Sequence, residues 1–169
     1  PWNWPLVLMV RAVAPALAAG NAVIVKPASL TPAITTATLA LLAEDPDLPE
    51  GILTLILGSG AVVGDALVGH SGVGMIAFTG ESSTGINVMK RAADDLRKVS
   101  LELGGKSPNI VFADANLDKA VDGALNAAFA TTGQICTSGS RLLLEDSIHD
   151  QFLARLTDRV KAYRLGDPL

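Results

Sequence analysis

The 169-residue chain holds a single cysteine, Cys136, so no disulfide can close within it, and a lone thiol fits a reducing compartment. Aromatic residues make up only 4%, and there is no basic run. With 13 Lys and Arg against 17 Asp and Glu, the net charge is −4, the opposite of what a binder of phosphate backbones needs. Nucleic acid is therefore not an expected partner. Apolar stretches end after about seven residues, far short of the roughly 20 that span a bilayer, so no membrane partner is expected either. No secretory leader is visible, and the expected location is cytoplasmic. Apolar residues are plentiful, at 49% against 18% charged, which excludes a disordered chain. At roughly 150 residues per domain the length gives one domain, or one and part of a second, with roughly 70% of the extended surface available for burial. The chain opens on Pro1-Trp2-Asn3-Trp4-Pro5 without an initiator Met and stops at Asp167-Pro168-Leu169, just past a long helical pattern. It reads as a piece of a longer polypeptide.

Five short apolar runs read as strands: Ala22–Lys26, Ile52–Leu57, Met75–Thr79, Lys98–Leu103 and Asn109–Ala113, with Arg141–Leu144 as a sixth candidate. Most are continuous rather than alternating, as expected of parallel strands covered on both faces. Helical patterns separate them. Thr31 is a candidate N-cap with Pro32 at the first helical position, and Ile34, Thr38, Leu41 and Leu42 follow the helical period. Ile86, Met89, Ala93 and Leu96 mark one face of a later helix, and Leu117, Val121, Ala124, Leu125 and Ala128 another. Ser147 with Asp150 reads as a capping box ahead of Ile148, Phe152, Leu156, Val160 and Tyr163. Up to Leu103 the order is a helix, then four strands alternating with three helices. That order predicts a doubly wound, parallel α/β sheet with right-handed crossovers. Ligands on such sheets sit beyond the carboxyl ends of the strands, and a composition shift at Gly104-Gly105 marks a hinge or boundary.

The loops that follow the strands carry the chemistry. Gly58-Ser59-Gly60-Ala61-Val62-Val63-Gly64 nearly matches G-x-G-x-x-G, but its third glycine comes one residue late. It fits either a tight turn or a helix start whose N–H groups approach a pyrophosphate. Lys26 ends an apolar strand, where an ammonium must reach water or a partner such as a ribose hydroxyl, or snorkel. Gly80-Glu81-Ser82-Ser83-Thr84-Gly85 suits a helix start facing a polar ligand, or simple capping by Ser82 or Ser83. Glu102 stands between Leu101 and Leu103. A carboxylate in such a run is paired, solvated at a cleft, or desolvated, and desolvation is one route to a general base. Cys136 lies among Gly, Gln, Thr and Ser in Gly133–Gly139, which suits a turn lining a cleft, although a lone buried cysteine is usually inert. A free thiol is mostly protonated at neutral pH, so catalytic use would need a base or a positive field.

Five of these stretches, PWNWP at 1–5, VKPAS at 25–29, FTGESSTG at 78–85, LELGGKSPNIV at 101–111 and GQICTSG at 133–139, resemble the aldehyde dehydrogenase superfamily in order and separation. Asn3 to Lys26 is 23 residues and Glu102 to Cys136 is 34. The resemblance covers essentially the whole chain. It implies a Rossmann-like variant of the doubly wound sheet over 1–103, lacking its N-terminal part. The beginning of a second α/β catalytic domain would follow over 104–169, lacking its C-terminal part. It implies NAD or NADP as cofactor and a small-molecule aldehyde as substrate. Residue by residue, Cys136 resembles the nucleophile, Asn3 the oxyanion donor and Glu102 the base that activates water. Lys26 resembles the ribose-binding lysine, Gly60 and Gly64 the helix-start glycines, Gly80 and Gly104 the glycines near the nicotinamide, and Trp2 a residue flanking the cofactor. Members are commonly homodimers or homotetramers, and the 169-residue piece is expected to be inactive alone.

Two positions depart from the family pattern. Ser29 stands where many NAD-preferring members carry a Glu that binds the adenine ribose. A hydroxyl, unlike a carboxylate, does not repel a 2′-phosphate, so NADP is expected to be accepted, with NAD left open. Glu81 replaces the family's usual Ser, and FTGES is similar to semialdehyde dehydrogenases of aromatic degradation. A conventional Rossmann reading would instead give Glu81 the ribose role, about 20 residues after Gly60. Two alternatives keep the fold: a catalytically silent binding or structural relative, and a relative that passes the thioester to coenzyme A. A third alternative, an acid–base dehydrogenase using His70, His149 or Tyr163, competes with the plainer reading of those side chains as exposed or edge-packed.

Overall fold

The computed structural model describes residues 1–167; Pro168 and Leu169, with which the sequence reading closed the chain, lie outside the described residues. The chain forms two compact units, Pro1–Leu103 and Gly104–Leu169. In the first, helix α1 (Pro5–Ala18) precedes β1 (Val23–Val25), α2 (Pro32–Leu42), β2 (Leu53–Leu55), a π-helical turn at Gly60–Gly64 that runs into α3 (Asp65–Gly69), β3 (Met75–Gly80), α4 (Ser82–Ala93) and β4 (Lys98–Leu103). This is the alternation the sequence predicts. Strands β1 and β2 pair in parallel, with Val23 opposite Leu53 and Val25 opposite Leu55. Strands β3 and β4 pair in parallel from Met75 opposite Lys98 to Gly80 opposite Leu103.

Each ladder is backed by its own helices. Met9 and Val13 of α1 and Leu39 of α2 pack on Val23, Val25, Leu53 and Leu55. Val88 and Ala92 of α4 join Ile76 over Phe78, Val99 and Leu101, with Val68 and Val73 at the edge. Burial alternates along these strands, so each ladder has one covered face. Cover on both faces, expected of a doubly wound sheet, is not seen among the described residues. In β1 and β3 the second face is apolar too, with Ile24 and Met75 exposed, whereas β2 carries Thr54 and β4 carries Lys98, Ser100 and Glu102 there.

The helix faces also differ from the expectation. In α2 the buried residues are Thr35 and Leu39, whereas Ile34, Leu41 and Leu42 are exposed. This helix is apolar nearly all round, so periodicity cannot choose its face. In α4 the buried residues are Gly85, Val88 and Ala92, one position before the expected Ile86, Met89 and Ala93, and Leu96 is exposed. The cause is close packing: a Cβ on Gly85 would lie 2.5 Å from Leu103 Cδ2, so small residues rather than large ones face the strand. The expected side-chain caps are absent as well. Thr31 sits at the N-cap of α2 without a capping bond, and its Oγ1 is buried and unpartnered. Neither Ser82 nor Ser83 caps α4, because Ser82 is already its first residue and Glu81 holds the N-cap position.

In the second unit β5 (Pro108–Val111) and β6 (Arg141–Leu144) pair in parallel around α5 (Leu117–Phe129), and α6 (His149–Lys161) follows. Val121 and Phe152 are fully enclosed among Val111, Ala124, Leu125 and Ile148. The expected capping box is replaced: Ser147 lies in a 3-10 turn, and its hydroxyl donates to Glu145 Oε1 at 2.8 Å. Among the described residues no helix is long and apolar enough to cross a membrane.

The Glu145 carboxylate accepts the Ala113 N–H at 2.8 Å, closing the end of the β5–β6 pair. This bond, followed by the Ser147 hydroxyl, holds its pKa below 4.5. A depressed folded value means that its contribution is complete above the unfolded value and is lost as pH falls through the folded one. Glu145→Gln should therefore lower the urea midpoint at neutral pH and flatten its decline on acidification. An unchanged acid limb would contradict this.

Candidate functional site

Parallel pairing sets the carboxyl ends of β1 and β2 side by side, and their loops meet there. The Lys26 Nζ donates to the Pro27 carbonyl at 2.8 Å and across to the Gly58 carbonyl at 3.2 Å. Ser29 Oγ approaches the same Gly58 oxygen at 3.5 Å. The Lys26 stem also lies near Gly64, where an added Cβ would stand 3.7 Å from its Cε. Asn3 is half-buried just ahead of α1, and Trp2 is exposed.

The late third glycine has a structural reason. Ser59 O accepts from both Val63 N at 3.0 Å and Gly64 N at 3.3 Å, and Ser59 Oγ accepts Val62 N at 3.2 Å. The wide i→i+5 turn takes one more residue than an α-turn. The demanding glycine is Gly58, the first of the stretch. Its φ is +151°, and a Cβ there would strike Val63 Cγ2. Gly60 faces open space, as does Gly104. Gly80 has a packing reason of its own, since a Cβ would meet the Phe78 ring at 2.6 Å.

At the β3–β4 end, Glu81 is exposed at the start of α4 and Glu102 pairs in register with Thr79. Alternation turns Glu102 to the open face of the ladder, where its Oε1 accepts from Arg11 Nη2 at 2.8 Å. Of the readings left open for Glu102, the paired one is observed. Arg11 was missed by sequence reasoning, although a signal existed: it is the one charged residue in the α1 sequence PLVLMVRAVAPALA.

In the second unit Cys136 is exposed in the loop between α5 and β6. Thr131 and Thr132, at φ of 52° and 55°, and Gly133, at 74°, put three successive residues in the left-handed region ahead of it. The loop is closed by Gly139 N to Ala127 O at 3.1 Å, Ser138 N to Ile135 O at 3.1 Å and Gln134 Nε2 to Thr132 Oγ1 at 2.8 Å. An open groove of about 550 Å³ lies over Asn109, Ile110 and Asp114 and reaches Thr137 and Gly139 of this loop. Asn3 and Glu102 thus belong to the first unit and Cys136 to the second. The rival acid–base groups have plain roles. His70 Nδ1 accepts the Gly72 N–H, His149 lies beside Asp150, and Tyr163 meets the Phe129 ring edge-on. Among the described residues no group of three His, Cys, Asp or Glu side chains could hold a metal.

The sequence matches the Aldehyde dehydrogenase family over residues 1–169. It is 52% identical over 167 residues to betaine aldehyde dehydrogenase of Bacillus subtilis (strain 168), covering 99% of this chain and 34% of the relative. It is 46% identical over 171 residues to aldehyde dehydrogenase 1A1 of Oryctolagus cuniculus, covering 100% and 34%. The fold is similar to the crystal structure of betaine aldehyde dehydrogenase from Staphylococcus aureus in complex with NAD+, at TM-score 0.91 and 46% identity over 99% of this chain and 33% of that one. The chain spans about a third of the length of the curated relatives it matches.

A β-branched residue in the left-handed region is strained by roughly 1–3 kcal/mol, whereas Asn tolerates that region. Thr131→Asn should therefore raise the stability of the chain by about 0.5–1 kcal/mol, read as a higher urea midpoint. A lower midpoint would show that the threonine side chain earns its place there.

Proposed function

The chain belongs to the aldehyde dehydrogenase family, and from that premise we propose that it is the central portion of an enzyme that oxidises an aldehyde to a carboxylic acid with a nicotinamide dinucleotide. The observation that carries the reading is the match over residues 1–169 of a chain that retains Asn3, Glu102 and Cys136. Residues 1–103 would be the cofactor-binding part, and 104–169 the start of the catalytic part.

The strand-end cluster fits a dinucleotide. Lys26 presents an ammonium at the rim of β1 and β2, with the Ser29 hydroxyl on the same carbonyl. Gly60 leaves open space at the helix start, where N–H groups precede the first helical bond. Lys26 and Ser29 would hold the adenine ribose, Gly60 and Gly64 the pyrophosphate, and Trp2, Gly80 and Gly104 the nicotinamide end. Ser29 shares the Lys26 cluster while Glu81 stands at the other ladder. We therefore give the ribose to Ser29, with NADP accepted, and not to Glu81.

In the reaction, the Cys136 thiolate bonds the aldehyde carbon through Sγ as the carbonyl π pair moves onto oxygen. The Asn3 side-chain amide and the Cys136 backbone N–H stabilise the resulting oxyanion. When bound, the dinucleotide supplies the acceptor for the hydride that leaves this adduct, which becomes a thioester on Cys136. Glu102 then takes a proton from water as the water oxygen bonds the acyl carbon. The C–S bond breaks, the Cys136 thiolate is released, and the acid departs. Glu102 supports water rather than coenzyme A as acyl acceptor. The whole protein would be a cytoplasmic homodimer or homotetramer, and FTGES at 78–82 points to a semialdehyde substrate.

Cys136→Ser in the full-length protein should reduce aldehyde oxidation by about a thousandfold or more. Near-normal turnover would remove the thioester mechanism. Ser29→Glu should weaken NADP use by at least about tenfold relative to NAD through charge repulsion, with little effect from Glu81→Gln. If Glu81→Gln alone changes the preference, the ribose site is misplaced. The 169-residue chain should show no turnover in the same assay.

A further inference from the structure

Arg11 is the single charge on an apolar helix, and it reaches a carboxylate 91 residues away in sequence. Its neighbours Met9 and Val13 are buried against β1 and β2, so the helix is anchored on one side and offers Arg11 on the other. Glu102 is fixed equally firmly, because Leu101 joins the cluster under α4 and Leu103 packs on Gly85. Both side chains of the pair are half-exposed or more, at 63% and 50%. An ion pair in such a setting contributes little to stability, so folding alone does not explain a lone arginine at this place.

Resting on the proposed role of Glu102 as base, we propose that Arg11 is a positioning residue for it. Nη2 occupies Oε1 at 2.8 Å. The carboxylate is thereby held at one oxygen, leaving Oε2 to take the proton from the attacking water. A base must present a lone pair within hydrogen-bond reach of the proton it removes, and a small misplacement costs much of its effect. The step affected is hydrolysis of the thioester. A water O–H bond breaks toward Oε2, the water oxygen bonds the acyl carbon, and the C–S bond to Cys136 then breaks. Formation of the thioester does not use this orientation.

The test is rapid-mixing kinetics on the full-length enzyme with aldehyde and NAD or NADP, following reduced cofactor. Arg11→Met should leave the rate of the initial burst unchanged and slow the steady-state phase about tenfold, with Arg11→Lys restoring much of it. In a Glu102→Gln background, Arg11→Met should have no further effect on the steady-state rate. The proposal would be overturned by an unchanged steady-state rate in Arg11→Met, by an equal additional loss in the Glu102→Gln background, or by a rise in KM with kcat unchanged, which would make Arg11 a substrate-binding group. A burst slowed along with the steady state would also overturn it, since the effect would then not be confined to hydrolysis. Failure of the underlying reading shows separately: if Glu102→Gln alone leaves hydrolysis intact, Glu102 is not the base, whatever Arg11 does.

Discussion

The bond from Lys26 across to the Gly58 carbonyl depends on one constraint, the parallel pairing of two three-residue strands. Parallel strands end on the same side, so the loops that leave β1 and β2 share a rim. An antiparallel pair would have sent them to opposite ends. The pairing is too short to stand on backbone bonds alone, and it is held by α1 and α2 lying across it. Met9, Val13 and Leu39 cover the same face that Val23, Val25, Leu53 and Leu55 present. Burial of such side chains, at about 1.5–3 kcal/mol each, is what fixes where an ammonium, a hydroxyl and a π-helical turn come together.

The costs fall in the loops rather than in these cores. Gly58 adopts a backbone conformation closed to other residues, and the turn after it is wound wider than an α-helix. Two threonines are held in the left-handed region ahead of Cys136. Strain of this kind persists only where surrounding contacts over-determine it. Around Cys136 those contacts are the bonds from Gly139 to Ala127 and from Ser138 to Ile135, which tie the loop to α5 and to itself. The thiol is thus carried on a short, closed loop at a strand end, where a reacting group can be exposed without opening the packed interior formed by Val121 and Phe152.

The order of elements was legible because each strand is a compact apolar run bounded by Gly, Pro or polar residues, and the observed strands begin or end within a residue or two of those runs. The second-unit helix was legible in its face too: Val121, Ala124 and Leu125 are buried as the period implies. The faces of α2 and α4 were not. In α2 nearly every position is apolar, so no stripe exists to read. In α4 the contact surface is built on Gly85 and Ala92, which carry little hydrophobic signal, while the bulky Met89 faces outward. At the strand ends, Lys26 could be singled out by its place at the end of an apolar run. Gly58 was visible as the first glycine of the near-fingerprint, but its need for a positive φ is a matter of backbone conformation that the motif does not state. Arg11 was legible only as an oddity, since nothing local links it to Glu102.

The continuous apolar strands and their single covered faces remain to be reconciled. A half-covered strand normally alternates apolar and polar residues, yet Ile24, Met75, Ile110 and Leu143 all lie on open faces. Continuous apolar character belongs to parallel strands with cover on both sides. Scattered exposed apolar side chains are ordinary, but here they fall on the second face of every ladder, in both units. The sequence is therefore written for a setting in which further elements lie on those faces. A chain spanning about a third of its relatives' length has room for that cover in the remainder. On this view the strand-end loops are already formed by local packing, while the rigidity that a positioned thiol, amide and carboxylate require must come from the second layer as well.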